Sequence, residues 1–256
     1  MIKFIFIFCV YGLSVSAQPT AYTTANAHSH NDYEQPIPFW EAYNHGFGSI
    51  EADIFLLGEN DELLVAHTPA ELKVKKRRLD SLYLIPIVNC LKKNQGTPYA
   101  DKSRKLQILV DIKTSATATL QKLVKTIARY PELTNNPLLQ FAISGNRPDP
   151  DSFYLFPPYI MFDGEINKTY SKNALSKIVL MSDNLKRYTL WNGKGDIPAG
   201  EQSKLRSEIL RCHELKKPVR FWEAPDDISS WKTLMMLKVD YLNTDKIAEL
   251  SAFLNK

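Results

Sequence analysis

This chain is poor in the residues that most often build metal centres, with 3 cysteines and 5 histidines in 256 residues. No C-x-x-C pair and no Cys/His cluster occurs, which argues against a thiolate zinc site. Strong charge is also missing. The formal net charge of +4, or +3 without Lys3, is too weak to argue for a nucleic-acid partner. The sequence shows no internal repeat and no linker long enough to divide it. The apolar run Phe4–Val15 falls short of the ~20 residues that cross a bilayer. With Lys3 before it and Val15-Ser16-Ala17 closing it, "MIKFIFIFCVYGLSVSAQ" reads as an export signal over residues 1–17. Residues 18–256 are then expected as one soluble domain in the periplasm or outside the cell. Cys90 and Cys212, the cysteines left, either pair there or remain buried thiols.

What is present is an ordinary globular composition, 44% hydrophobic and 23% charged, so a full core is available. Short apolar strands are expected at Thr24–His28, Ser49–Phe55, Leu106–Asp111, Gln140–Ser144, Tyr159–Phe162, Ile178–Met181, Val219–Trp222 and Tyr241–Thr244. Amphipathic stretches at Ala116–Tyr130, Glu201–Lys216 and Ser229–Leu237 read as helices between them. Several strands are continuous apolar runs, as when both faces of a parallel sheet are buried. Eight strands alternating with helices predict an α/β fold, a single TIM (βα)8-type barrel, with an open doubly wound sheet as the rival. "GENDELLVAH" adds a β-hairpin after strand 2, with Leu63–His67 as its second arm. Residues 68–105 form an insertion before strand 3, with one helix expected in "LYLIPIVNCL". The charge run "KVKKRRLD" within it is either solvated surface or a peripheral contact to anionic membrane head groups.

In such a barrel the chemistry sits at the C-terminal strand ends. Those ends carry His28, Glu51 with Asp53, and Asp111, while His67 ends the hairpin. Glu51 and Asp53 are two apart and share the inward face of one strand. Two buried carboxylates side by side repel each other and lose hydration, unless a cation compensates. A hard divalent ion, Mg²⁺ or Ca²⁺, held by Glu51, Asp53 and Asp111 meets that need. A structural network of the same acids with Lys113 and Arg220 meets it equally well. His28-Ser29-His30 also has the H-x-H form of zinc barrel hydrolases. Those need further histidines on later strands, and "FAISG", "IMFDG", "VLMSD" and "YLNTD" carry none. His213 falls in an expected surface helix. One divalent cation beside two titratable imidazoles, His28 and His67, is equipment for acid–base catalysis on an anionic substrate.

The ordered set "AHSHND…EA…GFGSIEADIFL…ENDELLVAHT" resembles the opening of the glycerophosphodiester phosphodiesterase and phosphatidylinositol-phospholipase-C-like barrel superfamily. The H-S-H-N-D-Y start is most similar to its branch named for altered mitochondrial inheritance. "LVDIKT" resembles a metal-ligand strand of the sphingomyelinase D branch, and "KVDYLNTD" the last strand of the phosphodiesterases. The resemblance implies His28 and His67 as the acid–base pair, Glu51, Asp53 and Asp111 as metal ligands, and Lys113 as a phosphate contact. Asn31 matches a polar residue of the sphingomyelinase branch. Ser29 stands where phosphodiesterases carry arginine, so His30 or Arg220 is expected to supply the missing phosphate contact. Trp222 either walls the pocket or packs in the core, and Asp245 is expected to cap the last helix.

These expectations describe an exported phosphoric diester hydrolase acting on a small-molecule or lipid phosphodiester, with no nucleic acid or protein partner implied. Two other readings remain open. One is a non-catalytic module that binds a phosphorylated head group. The other is a sphingomyelinase-D-like lipase with "LYLIPIVNCL" as its membrane rim.

Overall fold

The computed structural model describes residues 19, 21–57, 62–73 and 76–256. The expected export signal, and the turn residues 58–61 of the expected hairpin, lie outside the described residues. Nine strands are found among those described: β1 (Ala27–Ser29), β2 (Ser49–Leu57), β3 (Glu62–Val65), β4 (Leu106–Ile112), β5 (Leu139–Gly145), β6 (Ile160–Glu165), β7 (Ile178–Asn184), β8 (Val219–Trp222) and β9 (Leu242–Thr244). Eight of them pair in parallel in the order β8-β7-β6-β5-β4-β2-β1-β9. A single parallel bridge, Arg220 to Tyr241, brings the two ends of that order together, so the barrel is nearly closed. β3 runs antiparallel to β2 outside this ring.

Alternation along the strands sorts the chain by chemistry. On β2, Ile50, Ala52 and Ile54 face outward and join the core between barrel and helices, with Ile108, Val110 and Ile112 of β4. The helix α3 (Ala116–Ile127) adds Leu120, Leu123 and Ile127, one buried stripe at helical spacing. The opposite set, Ser49, Glu51 and Asp53 with Gln107, Leu109 and Asp111, points into the barrel and is aligned across the β2–β4 register. Polarity is thus concentrated inside the barrel.

Several boundaries differ from expectation. Thr24–Asn26 is a 3-10 turn rather than strand, because Thr23 and Asn26 cap each other's backbone in a capping box. The helix expected to reach Tyr130 ends at Ile127, ahead of Pro131, which opens a separate short helix. "LYLIPIVNCL" forms a π turn and a helix whose Tyr83, Leu84, Ile87, Val88 and Leu91 are buried, so it packs instead of forming a membrane rim. Within the described part of the charge run, Arg77 pairs with Glu34 and Arg78 with Glu62 and Asp80, while Lys73 and Lys76 are exposed. His213 lies in a helix as expected, but buried, with Nε2 2.7 Å from Asp240 Oδ2. Cys90 and Cys212 are both free and buried. No helix among the described residues is long and apolar enough to cross a membrane.

Candidate active site

The opening H-S-H-N-D-Y segment lies where β1 meets the barrel mouth. Register places His28 opposite Ser49 and Asn243, and Ser29 opposite Ile50 and Thr244. His30 continues the ladder, its N–H donating to Thr244 O at 3.0 Å, and lies beside Glu51 and Asp245. Both histidines point inward, but His30 sits one layer, about 6–7 Å of strand rise, nearer the mouth. His28 is completely buried, with Nδ1 2.8 Å from Ser49 Oγ and Nε2 2.6 Å from Arg220 Nη1. Burial first, and then the Arg220 charge, pull its pKa down to about 4. His28, expected as an acid–base residue at the strand end, therefore lies beneath the cleft with both ring nitrogens engaged, and His30 faces it. His30 Nδ1 lies 2.9 Å from Asp245 Oδ1, and its Nε2 is 3.8 Å from Glu51 Oε2. Burial lowers the His30 pKa, but Asp245 and Glu51 outweigh it and the net shift is upward. Asp245 therefore pairs with His30; the final helix, Ile247–Leu254, begins after Lys246 without a side-chain cap.

The acids gather as the spacing implied. Glu51, Asp53 and Asp111 each offer a carboxylate oxygen, all within 4.8 Å of one another. Glu51 is held well below the carboxylate range: burial pushes it up, but His28, His30 and Arg220 prevail. Asp53 is pushed up to about 6 by burial and by Glu51 beside it. Lys113 Nζ lies 3.0 Å from Asp53 and 3.3 Å from Asp111. Asp111 Oδ1 is buried and makes no well-aligned hydrogen bond. A Cβ on Gly145 would fall 2.0 Å from that oxygen, so only glycine, here at φ +67, leaves room beside it. An all-oxygen donor set with an under-satisfied buried carboxylate fits a hard divalent cation.

These groups line a cleft of about 720 Å³ at the C-terminal end of the barrel. His30, Asn31, His67, Lys113, Arg220 and Trp222 all border it. Trp222 is thus a wall of the cleft rather than core. His67 lies two residues beyond β3, its side chain half exposed. Arg220 is buried, holding Ser182 Oγ at 3.2 Å and Asn243 Oδ1 at 3.0 Å besides His28.

Tyr33, Asp32 and Asp163 were not singled out in the sequence. Tyr33 OH lies 2.7 Å from Asp53 Oδ2, 2.8 Å from Asn31 Oδ1 and 3.0 Å from His67 Nδ1, connecting the acids to the second imidazole. Asp32 accepts from Ser29 Oγ, Phe39 N and Tyr83 OH, which fastens the loop after β1. Asn31 takes the left-handed conformation (φ 46) that asparagine tolerates, and its N–H donates to Glu51 at 3.1 Å. Asp163, burdened by burial to a pKa of about 6, completes the far wall. The N-D dipeptide signalled a turn, but nothing marked Tyr33 off from core aromatics.

A family profile described as an AIM6-like phosphodiesterase domain matches residues 20–136, and one for the glycerophosphoryl diester phosphodiesterase family matches residues 218–248. Altered inheritance of mitochondria protein 6 of Kluyveromyces lactis is 25% identical over 89% of this chain and 72% of its own length. Its homolog in Arthroderma benhamiae is 28% identical, covering 86% and 81%. Among solved structures, a glycerophosphodiester phosphodiesterase from Parabacteroides distasonis superposes with a TM-score of 0.55 at 14% identity, covering 90% of this chain and 96% of that one. A Ca²⁺-dependent phosphatidylinositol-specific phospholipase C from Streptomyces antibioticus gives 0.54 at 12% identity, covering 92% and 98%. The structural likenesses show the fold. The barrel and the sequence matches together define a PLC-like phosphodiesterase superfamily protein. Within that superfamily residues 20–136 match the AIM6-like branch, and at a coarse level the matches support a phosphoric diester hydrolase.

Proposed function

We propose that this protein is a metal-dependent phosphodiesterase acting on a glycerophosphodiester or phospholipid-type substrate, with His30 and His67 as its acid–base pair. The observation that carries this reading is the mouth itself: three acids within 4.8 Å of one another, two imidazoles and four cationic side chains, Lys113, Arg147, Arg187 and Arg220, around one cleft. Glu51, Asp53 and Asp111 would hold one divalent cation, Mg²⁺ or Ca²⁺, which when bound supplies positive charge against the phosphoryl oxygens. Lys113 and Arg220 bind the diester phosphate and offset charge gathering on it. Asp245 keeps the proton of His30 on Nδ1, leaving Nε2 to accept a proton from the attacking hydroxyl or water. Tyr33 donates to Asp53 and accepts from His67 Nδ1–H, so His67 gives its Nε2 proton to the leaving alcohol. A hydroxyl of the substrate itself as nucleophile would yield a cyclic phosphate first. Trp222 covers the glycerol or lipid part.

Turnover of bis-p-nitrophenyl phosphate that is lost in chelator and restored by Mg²⁺ or Ca²⁺ is the expected result; no turnover with either ion would sink the reading. A second reading, a non-catalytic binder of phosphorylated head groups, is favoured by one observation. Lys113 reaches both Asp53 and Asp111, so the acids are compensated by the chain itself. Phosphate binding without turnover would select it. The charge and apolar run of the N-terminal sequence support the further proposal that the protein acts outside the cytoplasm, with a mature chain starting at Gln18. N-terminal sequencing of exported protein tests this, and Met1 retained there refutes it.

A further inference from the structure

Beneath the mouth, a chain of polar side chains, buried apart from the half-buried Gln140, crosses the barrel. Gln140 Nε2 donates to Gln107 Oε1 at 2.9 Å, and Gln107 Nε2 to Ser49 Oγ at 3.0 Å. Ser49 Oγ lies 2.8 Å from His28 Nδ1, and His28 Nε2 lies 2.6 Å from Arg220 Nη1. The direction of this chain is fixed by chemistry. A guanidinium has only donors, so His28 Nε2 must accept, and the imidazole proton must sit on Nδ1 and be given to Ser49. Arg220 in turn uses Nε for Ser182 and Nη1 for His28 and Asn243. Its Nη2 makes no hydrogen bond among the described residues, with Asp163 Oδ2 3.9 Å away as its charge partner, and the side chain borders the cleft.

We propose that His28 is a positioning residue, a fixed acceptor that aims the free edge of Arg220 at an anionic oxygen of the ligand in the cleft. This deepens the phosphodiesterase reading, on which it rests for the identity of the reaction. Arginine has several rotatable bonds and a planar fork, so its value in anion recognition depends on how its plane is held. Ser182 and Asn243 hold two of its nitrogens from one side. His28 closes the arrangement at the shortest contact of the three. It also explains why a histidine with no exposed surface lies directly below the cleft, where its Nε2 comes no nearer than 3.7 Å to Glu51.

Two substitutions separate the roles. In His28→Gln the amide oxygen reaches roughly where Nε2 lies, so an acceptor for Arg220 is kept. In His28→Asn the amide nitrogen stays near the Nδ1 position, so the bond to Ser49 is kept and the acceptor for Arg220 is lost. KM and kcat for bis-p-nitrophenyl phosphate, and inorganic phosphate binding by calorimetry, are measured on the metal-loaded full-length protein. His28→Asn is expected to raise KM and weaken phosphate binding about tenfold with kcat nearly unchanged, as for loss of one hydrogen bond to a charged group. His28→Gln should stay within about threefold of the parent protein in both. Equal losses in the two variants would reduce His28 to packing. A fall of a hundredfold or more in kcat in both variants, with a limb of the pH profile gone, would make it an acid–base group and overturn the proposal. If the parent protein binds phosphate with this Asn/Gln pattern but turns nothing over, the positioning role stands and the hydrolase reading falls. If it binds no phosphate, the positioning role falls.

Discussion

Two layers inside the barrel contrast sharply. In the lower one, Gln140, Gln107, Ser49, His28 and Arg220 are joined side chain to side chain by hydrogen bonds of 2.6–3.0 Å. In the upper one, Asp111 Oδ1 and Asp163 Oδ1 are buried without a hydrogen-bond partner, and Glu51 and Asp53 lie side by side on the inward face of one strand. Satisfied buried polar groups fix a geometry, whereas unsatisfied ones are expensive unless something else completes them. The lower layer is a framework. The upper layer is where a ligand belongs, and the two histidines of one H-x-H segment fall on opposite sides of that division.

The most severe way to break the contrast is to remove an imidazole of the upper layer. His30→Ala or His67→Ala should each lower kcat by ~10²–10⁴ while the thermal transition stays put. A His30→Ala enzyme with undiminished kcat would return the acid–base role to His28. Next comes Asp53→Asn, which removes one charge from the acid cluster. Calorimetry should show divalent-cation binding weakened at least tenfold with the fold intact, since one of three charged donors is lost. The lower layer should respond the other way. Gln107→Leu strands Gln140 and takes one donor from Ser49, and denaturant unfolding should report a loss of about 1–3 kcal/mol with kcat per folded molecule retained. The smallest effect is a shift in pH dependence. His30 must be neutral to accept a proton, so activity falls as pH drops through its raised pKa. Asp245→Asn removes a contact that raises that pKa, and the acid limb should move to lower pH; a limb that stays fixed would detach Asp245 from His30.

The division between layers shows what sequence could and could not reveal. Continuous apolar runs alternating with amphipathic stretches were enough to imply the barrel, because burial on both strand faces leaves that pattern. The E-x-D spacing put Glu51 and Asp53 on one inward face, and the structure gathers Asp111 with them. Period-two alternation says which face a side chain takes but not how deep it lies, so the acid–base role was expected of His28 and only a phosphate contact of His30. Depth follows from register against β2 and β9, which only the folded barrel supplies. Tyr33 escaped notice because its ring is buried like any core aromatic, and only the position of its hydroxyl gives it a role. Gly145 was equally silent, since its importance lies in a neighbour's oxygen thirty-four positions earlier.

The seam of the barrel carries a consequence of its own. β8 and β9 meet through a single bridge at Arg220 and Tyr241, while β4 is paired along its length with β2 and β5. The ring is therefore mechanically uneven, stiff around the carboxylates and thin beside the guanidinium. An outward breath of that seam would carry Arg220 away from the wall that holds the acids, widening the cleft without disturbing Glu51, Asp53 or Asp111. Incomplete closure thus leaves a thinly paired backbone seam beside the cleft, bridged there by the side-chain bonds of Arg220 to His28 and Asn243.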